Sequence, residues 1–312
     1  MKNLSKLNFT KIEKEIRKEI SAELLLDEPL KKHSSFKIGG KCKFFLKIQD
    51  EKDIIKLIGI SKRYSIPIYI IGKGTNILFD DNGFLGIIVE NEIKGTKVNN
   101  EEIEIYSGNL LDEFIECAKE NSLMGIEFLV GIPGTIGGAI HGNAGAFGRS
   151  IGDYLIRAQV INRNGKILHV SKEYFQFQYR KSSLREKGDF VLKTTFRLKR
   201  GNKSEIGKNI KEIANYRENK NPAPRYPNAG SFFKNIITPD GKKIPAGELL
   251  EKVGAKGIRV GDAEVWNNHA NYIINKGRAT SKDVLELAKI LKEKVKKQFG
   301  YILEEEVIYF NG

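Results

Sequence analysis

Seven of the eighteen residues from 131 to 148 are glycine and almost none is charged, so this stretch offers a ligand backbone rather than side chains. Glycine lets the main chain approach closely and take positive φ, and successive N–H groups can then converge on an anion such as a pyrophosphate. The candidates here are Gly131, Pro133, Gly134, Thr135, Gly137, Gly138, Ala139, Asn143 and Gly145. A shorter version lies upstream. Gly72, Lys73, Gly74, Thr75, Asn76 and Ile77 follow the apolar run 66–71, which reads as a buried strand emptying into a glycine turn. Two such loops on one chain point to a single large, phosphate-bearing ligand. Neither loop has the Gly-x-Gly-x-x-Gly spacing of a dinucleotide fold, and no Gly-x-x-x-x-Gly-Lys-Ser/Thr run occurs.

Reactive side chains are sparser. Ser231 stands in Ala229-Gly230-Ser231-Phe232-Phe233-Lys234-Asn235 without the Gly-x-Ser-x-Gly spacing of a nucleophile elbow, which argues against a hydrolase. Taken alone it reads as a turn or capping serine. Tyr179 and Arg180 set a hydroxyl beside a guanidinium, whose planar fork suits carboxylate or phosphate, although a lone arginine is more often a surface residue. His269 reads more readily as a structural donor than as a proton shuttle. Period-2 alternation puts Glu306 on one strand face with Ile308 and Phe310, while the triplet Glu304-Glu305-Glu306 favours a solvated edge. The four histidines at 33, 141, 169 and 269 show no metal-ligand spacing, and Cys42 and Cys117 read as buried thiols rather than a disulfide or metal site.

The elements that must hold these residues follow from periodicity. Ile12, Ile16, Ile20 and Leu24 predict a helix over 11–24. Strands are expected at 42–48, 66–71 and 85–89, with a helix at 51–62 making a β-α-β unit. A helix at 110–121 precedes the glycine-rich run. Asn164-Gly165 between 154–161 and 166–170 signals a hairpin, and a further strand covers 190–198. Composition shifts after Arg200 into a charged helix reaching about Asn219 and then a proline-bearing loop, 221–228. A short helix at 246–252 and short strands within 257–265 and 272–275 come next. A helix over 281–299 is capped by Thr280 or Ser281 and stopped by Gly300, and a strand over 301–310 ends the chain.

A chain of 312 residues can bury a sizeable core, and no run is long and apolar enough for a membrane span. With no signal-peptide core in residues 1–10, a cytoplasmic, monomeric protein is expected. The net charge of +14 is spread along the whole chain and mixed with glutamate, the pattern of solvated helix faces rather than of a nucleic-acid footprint.

Read together and in order, these motifs resemble the UDP-N-acetylenolpyruvoylglucosamine reductase family. The resemblance runs from His33-Ser34-Ser35-Phe36-Lys37-Ile38-Gly39-Gly40 through the first glycine loop, Gly125-Ile126-Glu127-Phe128, residues 131–148 and Tyr179-Arg180-Lys181-Ser182. It continues through 229–235, His269-Ala270-Asn271-Tyr272 and Leu303-Glu304-Glu305-Glu306-Val307. It implies an α+β protein with an FAD-binding domain of the vanillyl-alcohol-oxidase (PCMH) type in two α/β lobes and a smaller α+β substrate-binding domain. The implied division is a first lobe at 1–95, a second at 96–202, the substrate domain at 203–300, and a strand at 301–312 returning to the FAD-binding part.

The resemblance further implies that NADPH reduces FAD and that the reduced flavin reduces the enolpyruvyl ether of a UDP-sugar. An electron-rich enol ether accepts hydride only if its carboxylate takes up charge. By resemblance Arg180 and Glu306 surround that carboxylate, with Glu306 carrying or sharing a proton, and Ser231 protonates the adjacent carbon with help from Lys234, Asn235 or a water. Tyr179, Lys220 and Asn235 match substrate-touching positions, His269 matches a polar one nearby, and the two glycine loops match FAD-binding positions. Only 36 residues separate Arg180 from Arg217, which fits the branch lacking an extra tyrosine-bearing loop. Three departures stand out: His141-Gly142 in place of a bulkier pair, Phe147 where a tyrosine is common, and Ile236 in place of the proline that would stiffen the turn after Asn235. An FAD-dependent oxidase acting on another sugar or alcohol is the competing enzyme reading, and a colourless nucleotide- or nucleic-acid-binding protein is the competing non-enzyme.

Overall fold

The computed structural model describes residues 8–223 and 225–311. Residues 1–7 of the expected first lobe, Pro224 of the proline-bearing loop and Gly312 lie outside the described residues. The chain packs into two units. The first comprises Met1–Asp27, Lys43–Gly72 and Leu85–Arg217; the second comprises Glu28–Cys42, Lys73–Phe84 and Glu218–Gly312.

The helices of the first unit are α1 (Phe9–Glu19), α2 (Glu51–Tyr64), α3 (Leu111–Glu120), α4 (Ile136–Gly142), α5 (Leu184–Lys187) and α6 (Lys203–Lys220), whose last turn passes into the second unit. Asn8 starts α1 by accepting the Lys11 N–H at 3.0 Å, and Asp50 starts α2 by accepting that of Lys52 at 2.9 Å. The expected helix over 11–24 ends at Glu19, because Ile20 is already extended and Leu24 opens the strand Leu24–Pro29. Ile20 and Leu24 are buried nonetheless, so their spacing records a shared core rather than one long helix.

Two sheets organise this unit. One orders Leu24–Pro29, Lys41–Ile48, Phe84–Asn91 and Ile68–Ile71, the last two parallel with Ile68 opposite Ile87. The two strands of the expected β-α-β unit thus share a sheet but are separated by Phe84–Asn91. Ile12, Ile16, Phe44, Leu46, Leu57 and Val89 form their core. The other sheet is antiparallel, ordering Ile167–Ser171, Leu155–Ile161, Phe190–Arg197, Glu102–Tyr106 and Thr96–Asn99. Its first hairpin turns at Asn164-Gly165 as expected, with Gly165 at φ +78°. α3 and α4 contribute Phe114, Ile136 and Ile140 to a core that includes Ile105 and Phe196, and this packing holds the glycine-rich run in place.

The second unit holds α7 (Ala246–Lys252), α8 (Ser281–Phe299) and a three-stranded antiparallel sheet of Arg259–Val260, Ala263–Val265 and Ile273–Asn275. α8 behaves as its sequence predicts. Thr280 and Asp283 form a reciprocal capping box, Gly300 ends the helix at φ +75°, and Val284, Leu287, Leu291 and Val295 are fully buried. The expected final strand is shorter than 301–310. Only Ile308–Phe310 is regular, parallel to Ile77–Phe79; upstream, Glu305 is exposed although it would share a strand face with the buried Leu303 and Val307, so the period of two is broken. Tyr309 donates to the Asp80 carboxylate, and burial with this bond pushes its hydroxyl up to about 12. Among the described residues no helix is long and apolar enough to cross a membrane, and no group of His, Cys, Asp and Glu could hold a metal. Cys42 is buried and Cys117 half-buried, both as free thiols.

Candidate active site

In the first unit the two glycine loops meet. A methyl group added at Gly72 would stand 2.4 Å from Thr135 Oγ1, so the first loop leaves its strand in direct contact with the start of the second. Thr135 caps α4 by accepting the Gly138 N–H at 3.2 Å. The next amides are engaged as well, Ile136 N–H to the Asn109 carbonyl at 2.9 Å and Gly137 N–H to that of Ser107 at 2.8 Å. What Gly138 presents is therefore an empty surface rather than a donor. An added methyl there meets only Thr135 Oγ1 at 3.6 Å, and one at Gly142, a turn later on the same face, meets nothing within 4 Å.

A side-chain-free strip on a short helix costs about 1 kcal/mol per glycine relative to alanine, and it fits a helix that must leave room for a large planar cofactor. Gly138→Ala should accordingly stabilise the cofactor-free protein by about 0.5–1 kcal/mol yet lower the flavin retained per chain. Thermal melts of the apoprotein and the ratio of flavin to protein absorbance check the two halves separately.

The Arg180 turn hangs from the far end of α4. Gln178 and Lys181 exchange backbone hydrogen bonds of 3.0 and 3.2 Å, leaving Tyr179 and Arg180 at the tip of a two-residue turn. Arg180 has φ +55°, the left-handed region, which costs a non-glycine residue about 1–2 kcal/mol. Its guanidinium lies 5.5 Å from the Tyr179 ring centre, and Tyr179 is exposed. Asn143 ends α4 at φ +45°; its Nδ2 donates to the Gln178 carbonyl at 2.9 Å and its Oδ1 accepts the Gly152 N–H at 3.1 Å. Ser182 Oγ donates to the His141 carbonyl at 2.8 Å. Phe147 sits at φ +51° in the turn between Gly145–Ala146 and Arg149–Ser150, exposed, with its ring 5.8 Å from that of Tyr216.

The second unit arranges Ser231 and Glu306. Phe233 pairs with Glu305, the Lys234 N–H bonds to the Glu304 carbonyl and the Glu306 N–H to the Phe232 carbonyl, both at 2.8 Å. The backbone of Glu306 is therefore tied to Phe232, the residue that follows Ser231. Behind it, the buried Asn271 accepts the Phe233 N–H at 2.9 Å, donates to the Phe233 carbonyl at 2.8 Å and takes the Phe232 N–H on its own carbonyl. Of the glutamate triplet, Glu304 and Glu305 are exposed and paired with Lys234 and Lys292, whereas Glu306 is half-buried. The solvated-edge pattern thus describes its two neighbours only. Asn235 Oδ1 accepts the Ala246 N–H at 3.0 Å, so Lys234 and Asn235 brace the end of the Ser231 segment. Ile236 is held by pairing with Ile244, a bond pattern that supplies order where a proline is missing.

The remainder of the first loop belongs to this unit. A methyl at Gly74, where φ is +60°, would come within 2.0 Å of the His33 carbonyl oxygen, so only glycine fits. Asn76 Nδ2 donates to the Glu306 carbonyl at 3.1 Å, and the Asn76 carbonyl accepts the Ile308 N–H at 3.0 Å.

A cationic patch lies nearby in the same unit. Burial and the charge of Lys220 hold His269 below its usual range, and Lys256 and Glu251 also act on it. His269 Nδ1 accepts the Asn271 N–H at 3.2 Å, which places the proton of the neutral ring on Nε2. Sequence reasoning found Lys220 and His269 but missed Lys256 and Asn271, one lysine among many and one asparagine in a turn-like context. His141 in the first unit is likewise lowered by burial and Arg185. Both imidazoles resist protonation in the fold, so the unfolded chain binds more protons below pH 6.5 and stability falls as pH falls from there. Urea midpoints between pH 6.5 and 5 should decline, and His269→Gln and His141→Gln should each flatten the decline.

Comparison with known proteins adds to this geometry. Residues 42–171 match the FAD binding domain family, and residues 221–310 match the C-terminal domain of UDP-N-acetylenolpyruvoylglucosamine reductase. The UDP-N-acetylenolpyruvoylglucosamine reductase of Clostridium kluyveri is 38% identical, over 91% of this chain and 92% of its own. That of Caldanaerobacter subterraneus is 39% identical, over 94% and 95%. The crystal structure of UDP-N-acetylenolpyruvylglucosamine reductase from Thermus caldophilus superposes with a TM-score of 0.76 at 29% identity, covering 93% of this chain and 99% of that one.

Proposed function

Because this chain belongs to the UDP-N-acetylenolpyruvoylglucosamine reductase family, we propose how its residues divide the work of the reaction it performs. It is an FAD-containing oxidoreductase that uses NADPH to reduce the enolpyruvyl ether of UDP-N-acetylglucosamine to UDP-N-acetylmuramate, a precursor of peptidoglycan. FAD, when bound, would supply the two-electron chemistry that links NADPH oxidation to reduction of the enolpyruvyl group at C3.

The protein's task is to make that carbon accept it. Hydride at C3 pushes charge into the carboxylate, and fixed donors and cations that meet this charge lower the barrier. Arg180 takes the carboxylate through its planar fork, and a protonated Glu306 donates to it rather than repelling it. Ser231 then delivers a proton to C2. Lys220 and Lys256 hold the diphosphate, while Tyr179, Lys234, Asn235 and His269 orient the sugar nucleotide. Support for these roles comes from the backbone bond that ties Glu306 to Phe232, next to Ser231, and from the strained backbone at Arg180, since strain of that kind collects at working sites. The residues that would hold FAD are Gly72, Lys73, Gly74, Thr75, Asn76 and Ile77 of the first loop and those of the loop and helix from Gly131 to Gly145. NADPH and UDP-sugars are soluble metabolites, and the enzyme acts as a cytoplasmic monomer without nucleic-acid partners.

The observation that carries this reading is the 38% identity maintained over 91% of the chain. Anaerobic mixing of the yellow protein with NADPH should bleach its flavin absorbance, and adding the enolpyruvyl UDP-sugar should restore it. Restoration by oxygen and a free sugar, with no response to NADPH, would favour an oxidase instead.

A further inference from the structure

We propose that Asn76 and Asn143, one from each glycine loop, are positioning residues whose side-chain amides hold Glu306 and Arg180 in working register. The inference rests on the roles given to Glu306 and Arg180 above.

Asn143 is 6% exposed and both ends of its amide are used. Its donor goes to the Gln178 carbonyl, which also accepts the Lys181 N–H, so this one oxygen anchors the base of the Arg180 turn. Its acceptor is fixed by Gly152, where a methyl group would intrude to 2.9 Å from that oxygen. An arginine in the left-handed region stays there only if its surroundings hold it, and the Asn143 amide reaches the base of its turn. Asparagine also suits position 143 because it tolerates the left-handed backbone that ends α4.

Asn76 grips the backbone on either side of Val307. Its amide donates to the Glu306 carbonyl, and its own carbonyl takes the Ile308 N–H, from which the parallel pairing of Ile77 with Ile308 continues. With the Glu306 N–H bound to the Phe232 carbonyl, Glu306 is tied at both of its peptide groups. A one-residue slip would turn its side chain to the other face. Each loop that borders the cofactor thus ends in an amide that sets the geometry of a residue proposed to meet the substrate carboxylate.

The diagnostic variants are Asn76→Asp and Asn143→Asp, which keep size and acceptor but replace the donor with an oxygen facing a carbonyl. Because both loops also border FAD, rates are read per bound flavin, and NADPH reduction of that bound flavin should change far less than its reoxidation does. Reoxidation by the UDP-sugar should slow about tenfold or more with substrate affinity little changed, the loss expected when a buried donor is removed. Lowering the pH should restore part of that rate relative to wild type, because a protonated aspartate regains a donor; a merely structural defect would not recover this way. Should an aspartate variant fail to fold, the serine variants carry the comparison of the two half-reactions, which needs no titrating group. Wild-type reoxidation rates, equal slowing of both half-reactions, or loss of flavin with the remaining holoenzyme at full speed would each overturn the inference. A wild-type protein inert to NADPH and to the UDP-sugar would instead overturn the functional reading on which it stands.

Discussion

Ser231→Ala slows reoxidation of the reduced enzyme by the enolpyruvyl UDP-sugar about 10²–10⁴-fold, the usual worth of a positioned acid, while NADPH still reduces the flavin at nearly the wild-type rate. The selectivity follows from the local structure. The segment is held by backbone bonds to Glu304 and Glu306 and by the amide of Asn271, none of which involves the Ser231 hydroxyl. Alanine therefore removes a proton donor and leaves those bonds standing. Stopped-flow measurement of each half-reaction separates the outcomes, and equal losses in both would remove Ser231 from the chemistry.

Glu306→Ala loses about 10²–10³-fold in the same step, and Glu306→Gln retains more activity than Glu306→Ala. The magnitude is that of a donor aimed at developing charge. Glutamine keeps an N–H that can reach the substrate carboxylate, whereas alanine leaves that charge to Arg180 alone. Both substitutions preserve the backbone bonds to Phe232 and Asn76, so the comparison reports on the side chain. The opposite ranking, read from reoxidation rates at saturating substrate, would mean that charge rather than hydrogen bonding matters at this position.

What was legible in the sequence was local. α8 could be read from its cap, its apolar spacing and Gly300 because each acts within a turn or two. The Asn164-Gly165 hairpin is equally self-contained. The glycine loops announced a phosphate-bearing ligand, since so many glycines in a helix and its approach cost stability unless space is needed. The membership of 28–42 and 73–84 in the second unit was not legible. Ser35 Oγ donates to the Asn228 carbonyl at 2.7 Å and Asn275 Nδ2 to the Phe36 carbonyl at 3.2 Å, links across some two hundred residues that no local pattern encodes. The site was half readable for the same reason. Ser231 and Glu306 look ordinary in isolation, and the bond of Glu306 to Phe232 that brings their segments together joins residues far apart in sequence. Asn271 and Lys256 were missed because a buried amide and a partnered lysine look like surface residues until their neighbours are known.

The chain passes between its two units five times, and the strand Ile77–Phe79 waits for a partner, Ile308–Phe310, that lies far later in the sequence. During translation the early segments of the second unit leave the ribosome long before the residues that complete their core. Until then Phe36, Ile38 and Leu78 lack the later residues that complete their core, and the nascent polypeptide carries them as exposed apolar side chains.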